Sequence, residues 1–265
     1  MKKHYTFLVI IAWLLSLSCS NKINHTIEGG DNWVSLFSGD DLGGWTAKVH
    51  KYEPGVNYAN TFRAEDGMIR VMYDQYDGQF KDRFAHLYTD EVYSSFHLSL
   101  EYRFMGEMYP GTPLYAKLNS GIMYHSQDPM TMLIDQDWPI SVEMQFLAGI
   151  DQVVDRPTGN MCSPGTHIYM DGQLDTRHCI SSSSDTYYGD QWVHAELIVY
   201  GDSLVQHIIN GEVVLEYAKP QIGGGVANRY DPAHKVDGTP LKSGHIALQA
   251  EGHPIDFRNI KIKKL

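Results

Sequence analysis

The chain has 265 residues, with 21 Lys and Arg against 32 Asp and Glu, a net charge of −11 with histidine neutral. That balance argues against a nucleic-acid partner, whose phosphates need clustered positive charge. Apolar residues make up 43% and aromatics 12%, enough to bury a substantial core, so disorder and coiled coil are poor descriptions as well.

The N-terminus reads as an export signal. Lys2 and Lys3 precede an apolar run from Phe7 to Leu15, followed by Ser16-Leu17-Ser18-Cys19. The run is shorter than the ~20 residues a membrane-spanning helix needs. Small residues ahead of a cysteine are similar to a bacterial lipobox, although Ser16 stands where Leu is usual. The expected organisation is a signal peptide over residues 1–18, a lipid on Cys19, a polar tether over 19–31 and one domain over 32–265. Plain secretion is the alternative, and the expected location is the periplasm or the outer membrane, with membrane contact through the lipid only.

Beyond the tether, period-2 alternation recurs. Thr61–Ala64 and Met68–Tyr73 flank Glu65-Asp66-Gly67, a hairpin signal. In Phe96–Phe104 the even positions are apolar and the odd ones are His97, Ser99, Glu101 and Arg103. Ser141–Leu147 sets Val142, Met144 and Phe146 against Glu143 and Gln145. Trp192–Tyr200 sets Val193, Ala195, Leu197 and Val199 against His194 and Glu196. Asn210-Gly211 joins Leu204–Ile209 to Glu212–Tyr217, and near the end Ile246, Leu248 and Ala250 oppose His245 and Gln249. Only a strand sends successive side chains to opposite faces. Many short antiparallel strands in a domain of this length predict an all-β fold, a two-sheet jelly-roll β-sandwich.

Cys162 and Cys179 remain after the lipid site. A zinc site of Cys162, His167, His178 and Cys179 fits no CxxC-type spacing, and neighbours on a strand point apart. The expected state is a disulfide closing a Pro/Gly/Ser-rich loop, worth about 3 kcal/mol by loop entropy.

The polar sides of the strands carry unusual chemistry for a solvated sheet face: Glu101, Arg103, His125, Glu143, Gln145, His194, Glu196, His207 and Gln249. Such groups bind hydroxyls, and His and Glu also move protons. If the strands are neighbours, these side chains line a saccharide cleft, with Trp138, Trp192 or Tyr169 available to stack on a ring. If they lie in different sheets, they are surface pairs, as His207 with Glu196 could be. Glu143 and Gln145 stand out, because they leave one face two residues apart and precede a long Gly, Pro and Asp loop (149–165) of the kind that carries sites. No phosphate loop, HExxH or GxSxG occurs. Ser181–Ser184 reads as a flexible loop, and Asp40-Asp41 and Asp135-Gln136-Asp137 lack the surroundings of an EF-hand.

Four segments, in order along residues 33–265, resemble the 3-keto-disaccharide hydrolase domain family. They are Leu36-Phe37-Ser38-Gly39-Asp40-Asp41-Leu42-Gly43-Gly44-Trp45, Asn119-Ser120-Gly121-Ile122, Glu143-Met144-Gln145, and Gly244-His245-Ile246-Ala247-Leu248-Gln249 with Phe257-Arg258-Asn259-Ile260. Many members carry an Arg shortly after the second segment, where this chain has Tyr124-His125. The resemblance implies a concanavalin A-like sandwich, exported and often lipid-anchored. It also implies activity on glycosides whose C3 has been oxidised to a ketone by a partner oxidoreductase.

Such a ketone acidifies the C2 proton. A base can remove it, the C1 substituent leaves by β-elimination, and water adds back. The chemistry needs a base, a donor to the enolate oxygen and an acid for the leaving oxygen. Glu143 and His125 are the expected catalytic pair; Glu101, Arg103, Asn119, Gln145, His194 and Gln249 are the expected substrate contacts. A divalent metal could polarise the ketone, but the sequence fixes no cofactor and names no ligands for one. The alternatives are a two-carboxylate glycosidase, with Glu143 opposite Glu101 or Glu196, and a non-catalytic glycan-binding module.

Overall fold

Alternating side chains resolve, in the computed structural model, into two antiparallel sheets packed face to face. The structure describes residues 32–265 and Met1; the signal segment 1–18, Cys19 and the tether 19–31 expected above lie outside the described fold. The first sheet has ten strands. Its main path runs β11 (Gln173–Asp175), β10 (Thr166–Met170), β15 (Glu212–Ile222), β14 (Leu204–Ile209), β13 (Val193–Tyr200), β6 (Ser95–Phe104), β17 (Ile255–Lys264), β4 (Met68–Val71) and β3 (Phe62–Glu65), with β1 (Val34–Ser35) against β17. The second has seven strands, in the order β12 (Cys179–Ile180), β9 (Asn160–Cys162), β8 (Val142–Leu147), β7 (Asn119–Ser126), β16 (His245–Ala250), β5 (Ala85–Thr89) and β2 (Trp45–Val49). The two-sheet sandwich expected from alternation is what the chain forms. Among the described residues no helix is long and apolar enough to cross a membrane.

Both hairpins follow from turn chemistry. Asp66 and Gly67 have φ of 54° and 72°, and Asn210 and Gly211 have 49° and 87°. Two consecutive positive φ values match the right-handed twist of the flanking strands, and Asn, Asp and Gly adopt them at least cost.

The inward faces form one core. Leu98, Leu100 and Tyr102 of β6 and Leu197 and Val199 of β13 meet Ile122 and Tyr124 of β7 and Met144 and Phe146 of β8. The rings of Tyr102 and Phe146 stack across the sandwich with centroids 4.0 Å apart. Packing is not the only bond between the sheets. His207, expected as a surface partner of Glu196, is instead fully buried. Its Nδ1–H donates to the Gly159 carbonyl at 2.8 Å, which leaves Nε2 as acceptor for the Tyr217 hydroxyl at 2.8 Å. Tyr217 in turn accepts from the Tyr124 hydroxyl at 2.9 Å. Each donor and acceptor in this chain is used in one direction, and burial pushes His207 down to about 4, so the ring stays neutral. Glu196 turns outward and binds His97 Nε2 at 2.7 Å.

A middle member of such a relay should matter more than its end. Tyr217→Phe leaves His207 Nε2 and the Tyr124 hydroxyl without partners, at about 1–3 kcal/mol. Tyr124→Phe removes only the terminal donor and should cost less. Urea unfolding of both variants checks the order, and equal losses would show that the hydroxyl chain does not act as a relay.

Candidate active site

The outward face of the seven-stranded sheet carries two rows of side chains. Pairing of β7 with β8 sets Met123 opposite Glu143 and Gly121 opposite Gln145. Pairing of β8 with β9 continues these rows to Cys162 and Asn160. On the other flank, Ala247 pairs with Met123 and Leu248 with Ile122, which brings Gln249 beside Gly121. The same alternation that buries Val142, Met144 and Phe146 therefore turns Glu143 and Gln145 away from the core and into one pocket. That pocket has a volume of about 400 Å³, and its lining includes Asn119, Glu143, Gln145, Arg156, Gln249 and Glu251. Trp138 and Tyr115 supply aromatic wall. On the same outward face, Tyr88, Met123, Met132 and Ala247 form a small apolar cluster, and Met123 lines the pocket.

Glu143 is 5% exposed, and its Oε1 has no hydrogen-bond partner among the described residues. Burial pushes its carboxyl well above the usual 4.5; Glu251 pushes the same way and a hydrogen bond with the Gln249 side chain opposes. Burial also raises Glu251, to about 8, with Arg156 pulling it back. Glu251 Oε2 and Gln249 Oε1 are likewise buried and unpartnered. Arg156 is fixed rather than neutralised: its Nη1 donates to the carbonyls of Leu118 at 3.0 Å and Ala148 at 2.6 Å. The pocket thus holds two carboxyls whose proton affinity desolvation raises, and its one lining cation, Arg156, acts on Glu251. Groups with displaced proton affinity in a concave site are suited to proton transfer.

A missing side chain makes room for this arrangement. A Cβ on Gly121 would stand 2.6 Å from Glu143 Oε1 and 2.9 Å from its Cγ. The carboxyl lies in the notch that glycine leaves.

Four of the eight expected catalytic and substrate-contact residues are brought together here: Asn119, Glu143, Gln145 and Gln249. The other four are not, and they require correction. Glu101, Arg103 and His194 belong to β6 and β13, on the outer face of the ten-stranded sheet, with the core between them and Glu143. There they are paired: Glu101 with Arg258, Arg103 with Asp256 and Asp190, and His194 with Ser99 and Glu196. His125 fails for a different reason. A bulge between β7 and β16 and a φ of 46° at His125 break the alternation, and its Nε2–H donates to the Gly201 carbonyl in the β13–β14 turn at 2.9 Å. Gly244 permits that bulge, because a Cβ there would meet the His125 backbone at 2.3 Å. Of the aromatic candidates, Trp138 lines the pocket, whereas Trp192 lies under Arg258 and Arg103, and Tyr169 sits near Lys219 elsewhere.

Two contributors escape a first pass through the sequence. Glu251 continues the outward parity of Gln249 by two residues, so extending the alternation past β16 would have found it. Arg156 comes from the β8–β9 connection and carries no periodic signal.

Cys162 and Cys179 form a disulfide at the pocket wall, with Cα atoms 4.2 Å apart, as expected from the sequence. Among the described residues the only place where three His, Cys, Asp or Glu ligand atoms converge is Cys162, His178 and Cys179. Both sulfurs are committed to the disulfide, so they are not thiolate ligands, and this set does not suit a divalent metal. His167 is not part of it; its ring packs on Gly223 and Gly224.

Gly121→Ala should displace the Glu143 side chain or strain the sheet. The expected outcome is a stability loss of about 1–3 kcal/mol and a Glu143 carboxyl that titrates closer to its ordinary range. Carboxyl-carbon NMR across pH reads the second effect. An unchanged titration with unchanged stability would show that the methyl group is accommodated.

Comparison with known proteins places this geometry in a family. Residues 32–263 match the model of the 3-keto-alpha-glucoside-1,2-lyase-like domain. Two solved structures of candidate glycosyl hydrolases from Parabacteroides distasonis ATCC 8503 are similar in fold. One is 18% identical, with 88% of this chain and 99% of that chain covered at a TM-score of 0.52. The other is 19% identical, with 88% and 94% covered at 0.50. No curated protein matches the sequence significantly. With the family model spanning almost all of the described domain, the chain belongs to the 3-keto-alpha-glucoside-1,2-lyase-like family.

Proposed function

We propose that the chain is a carbohydrate-active enzyme that cleaves 3-keto-glycosides by elimination across C1 and C2, followed by hydration. The observation that carries this reading is the pair Glu143 and Glu251, two carboxyls whose proton affinity burial raises, in one pocket beside a single fixed cation. Arg156 favours the ionised form of Glu251, and no cation among the described residues does the same for Glu143. Once ionised, Glu251 takes the C2 proton, and the C2–H electrons pass into the enolate of the C3 ketone. Arg156 and the amides of Asn119 and Gln145 can donate to that developing oxyanion. As the enolate collapses, a C1=C2 bond forms, the C1–O bond breaks, and Glu143 delivers its proton to the departing oxygen. Water then adds across the double bond, giving net hydrolysis. A base and an acid with separated proton affinities are what such a sequence demands.

This assignment replaces His125 by Glu251 as the complement of Glu143. It also removes Glu101 and Glu196 as partners for a glycosidase, since both stand on the opposite sheet. The same reading has residues 1–18 export the chain and a lipid on Cys19 hold it at the membrane, with an oxidoreductase supplying the C3 ketone.

The purified protein should release the leaving group from a 3-keto-glucoside and leave the unoxidised glucoside intact, as followed by product chromatography. Glu143→Gln should lower turnover by at least ~100-fold, the usual scale for a proton-transfer group. Cleavage of the unoxidised compound would mean an ordinary two-carboxylate glycosidase, and binding without cleavage would mean a glycan-binding module.

The pH profile follows from the same two groups. Turnover should rise as Glu251 ionises, toward about pH 8, and Glu251→Gln should abolish that limb. Stability moves the other way. Folding raises this carboxyl from 4.5 to about 8, so its stabilising proton is fully present below the unfolded value and is lost as pH rises through the folded one. Thermal unfolding should therefore show Glu251→Gln gaining on the wild type between pH 5 and pH 9 (a window of about four units around that transition). A constant difference would sink the assignment of the raised carboxyl.

A further inference from the structure

Beside the pocket lies a second hollow of about 590 Å³, bounded by His50, Lys51, Phe84, Asp135, Asn228 and Arg229 among others. The two share a wall. The Phe84 ring, which faces the hollow, is 4.5 Å from the ring of Trp138, which faces the pocket. One loop serves both: Val226 lines the pocket, while Asn228 and Arg229 line the hollow. Asp137 pins this loop, since its carboxylate accepts from Asn228 N and Nδ2, each at 2.8 Å, and from Trp138 N at 2.7 Å.

We infer that this hollow is a second saccharide subsite, which seats the group expelled from C1 in the adjoining pocket. The inference rests on the elimination reading of that pocket. His50 is 7% exposed, and its Nδ1–H donates to the Asp82 carbonyl at 2.7 Å. That bond fixes the tautomer, so Nε2 carries a lone pair, and it has no partner among the described residues. A buried acceptor left unsatisfied costs about 1–3 kcal/mol, and a ligand hydroxyl would recover it. Asp135 and Arg229 are exposed and make no hydrogen bond or close ion pair to the described residues, Asp135 acting only through space on the buried Lys48, so an acceptor and a forked donor line the same rim. Acids and bases are mixed and an apolar ring, Phe84, is close by. That combination suits a neutral, hydroxyl-rich ring rather than an anion, a cation or a flat aryl group. Backbone is left-handed at Lys51, Asp82, Val226 and Arg229, with φ of 76°, 54°, 72° and 59°, all of which line one of the two cavities.

The test uses the full chain carrying Glu143→Gln, so that ligands are not consumed. Isothermal titration compares a 3-keto-disaccharide with the corresponding methyl 3-keto-glucoside. The disaccharide should bind at least ~10-fold more tightly, about 1.4 kcal/mol. Asp135→Asn and Arg229→Ala should each remove most of that advantage while leaving the methyl compound bound as before. Equal affinity for the two ligands, or equal weakening of both by the variants, would overturn the subsite. The two readings fail separately. Turnover by the unmodified protein without a disaccharide advantage removes the subsite and keeps the elimination; the advantage without turnover keeps the subsite and removes the elimination.

Discussion

A carboxyl taken out of water and given no cation is the constraint on which the rest of this site depends. Glu143 lies in the notch left by Gly121, where the ionisable group acting on it is another carboxyl, while Arg156, held by backbone carbonyls through Nη1, acts on Glu251 instead. Ionising Glu143 there would leave a buried charge unpaired, which costs several kcal/mol, so the group retains its proton instead. A retained proton on an otherwise acidic side chain is what turns a polar sheet face into a site capable of acid–base work. Glu251 is raised by burial too, and there Arg156 pulls the other way.

The rigidity needed to hold that arrangement comes from the other side of the sheet. β7 and β8 present Ile122, Tyr124, Met144 and Phe146 to the core while presenting Gly121, Met123, Glu143 and Gln145 to the pocket. A one-residue slip would exchange the two sets, and burial of large side chains across the sandwich penalises it heavily. The hydroxyl chain from Tyr124 through Tyr217 to His207 ties the pocket-bearing strand to the opposite sheet. Placement of the carboxyl is thus secured by core packing, away from the chemistry.

Polar residues on the ten-stranded sheet show what the same alternation does without a pocket. Glu101 and Arg103 stand on β6 with the parity of a functional face, yet each is met by an opposite charge on β17, Arg258 and Asp256. Cross-strand neighbours satisfy one another, and the surface gains solubility and modest stability. The distinction between a site and a charged surface lies in whether partners are close by, and partners on adjacent strands are set by topology.

Sequence by itself determined the clearly alternating strands, their inward and outward faces, the two hairpins, the cysteine pair and the singular position of Glu143 with Gln145, because all of these depend on local parity and turn chemistry. It also contained Glu251, two residues beyond Gln249 on the same parity. Tertiary structure alone decided which outward faces share a cavity: β6 and β13 went to one sheet, β7, β8 and β16 to the other, and a bulge at His125 turned its ring aside. Arg156 and the hollow around His50 likewise exist only in three dimensions, since loops bring them in and no period marks a loop. The physical reason is that side-chain direction is a property of two adjacent residues, whereas strand order is fixed by the burial of the whole core.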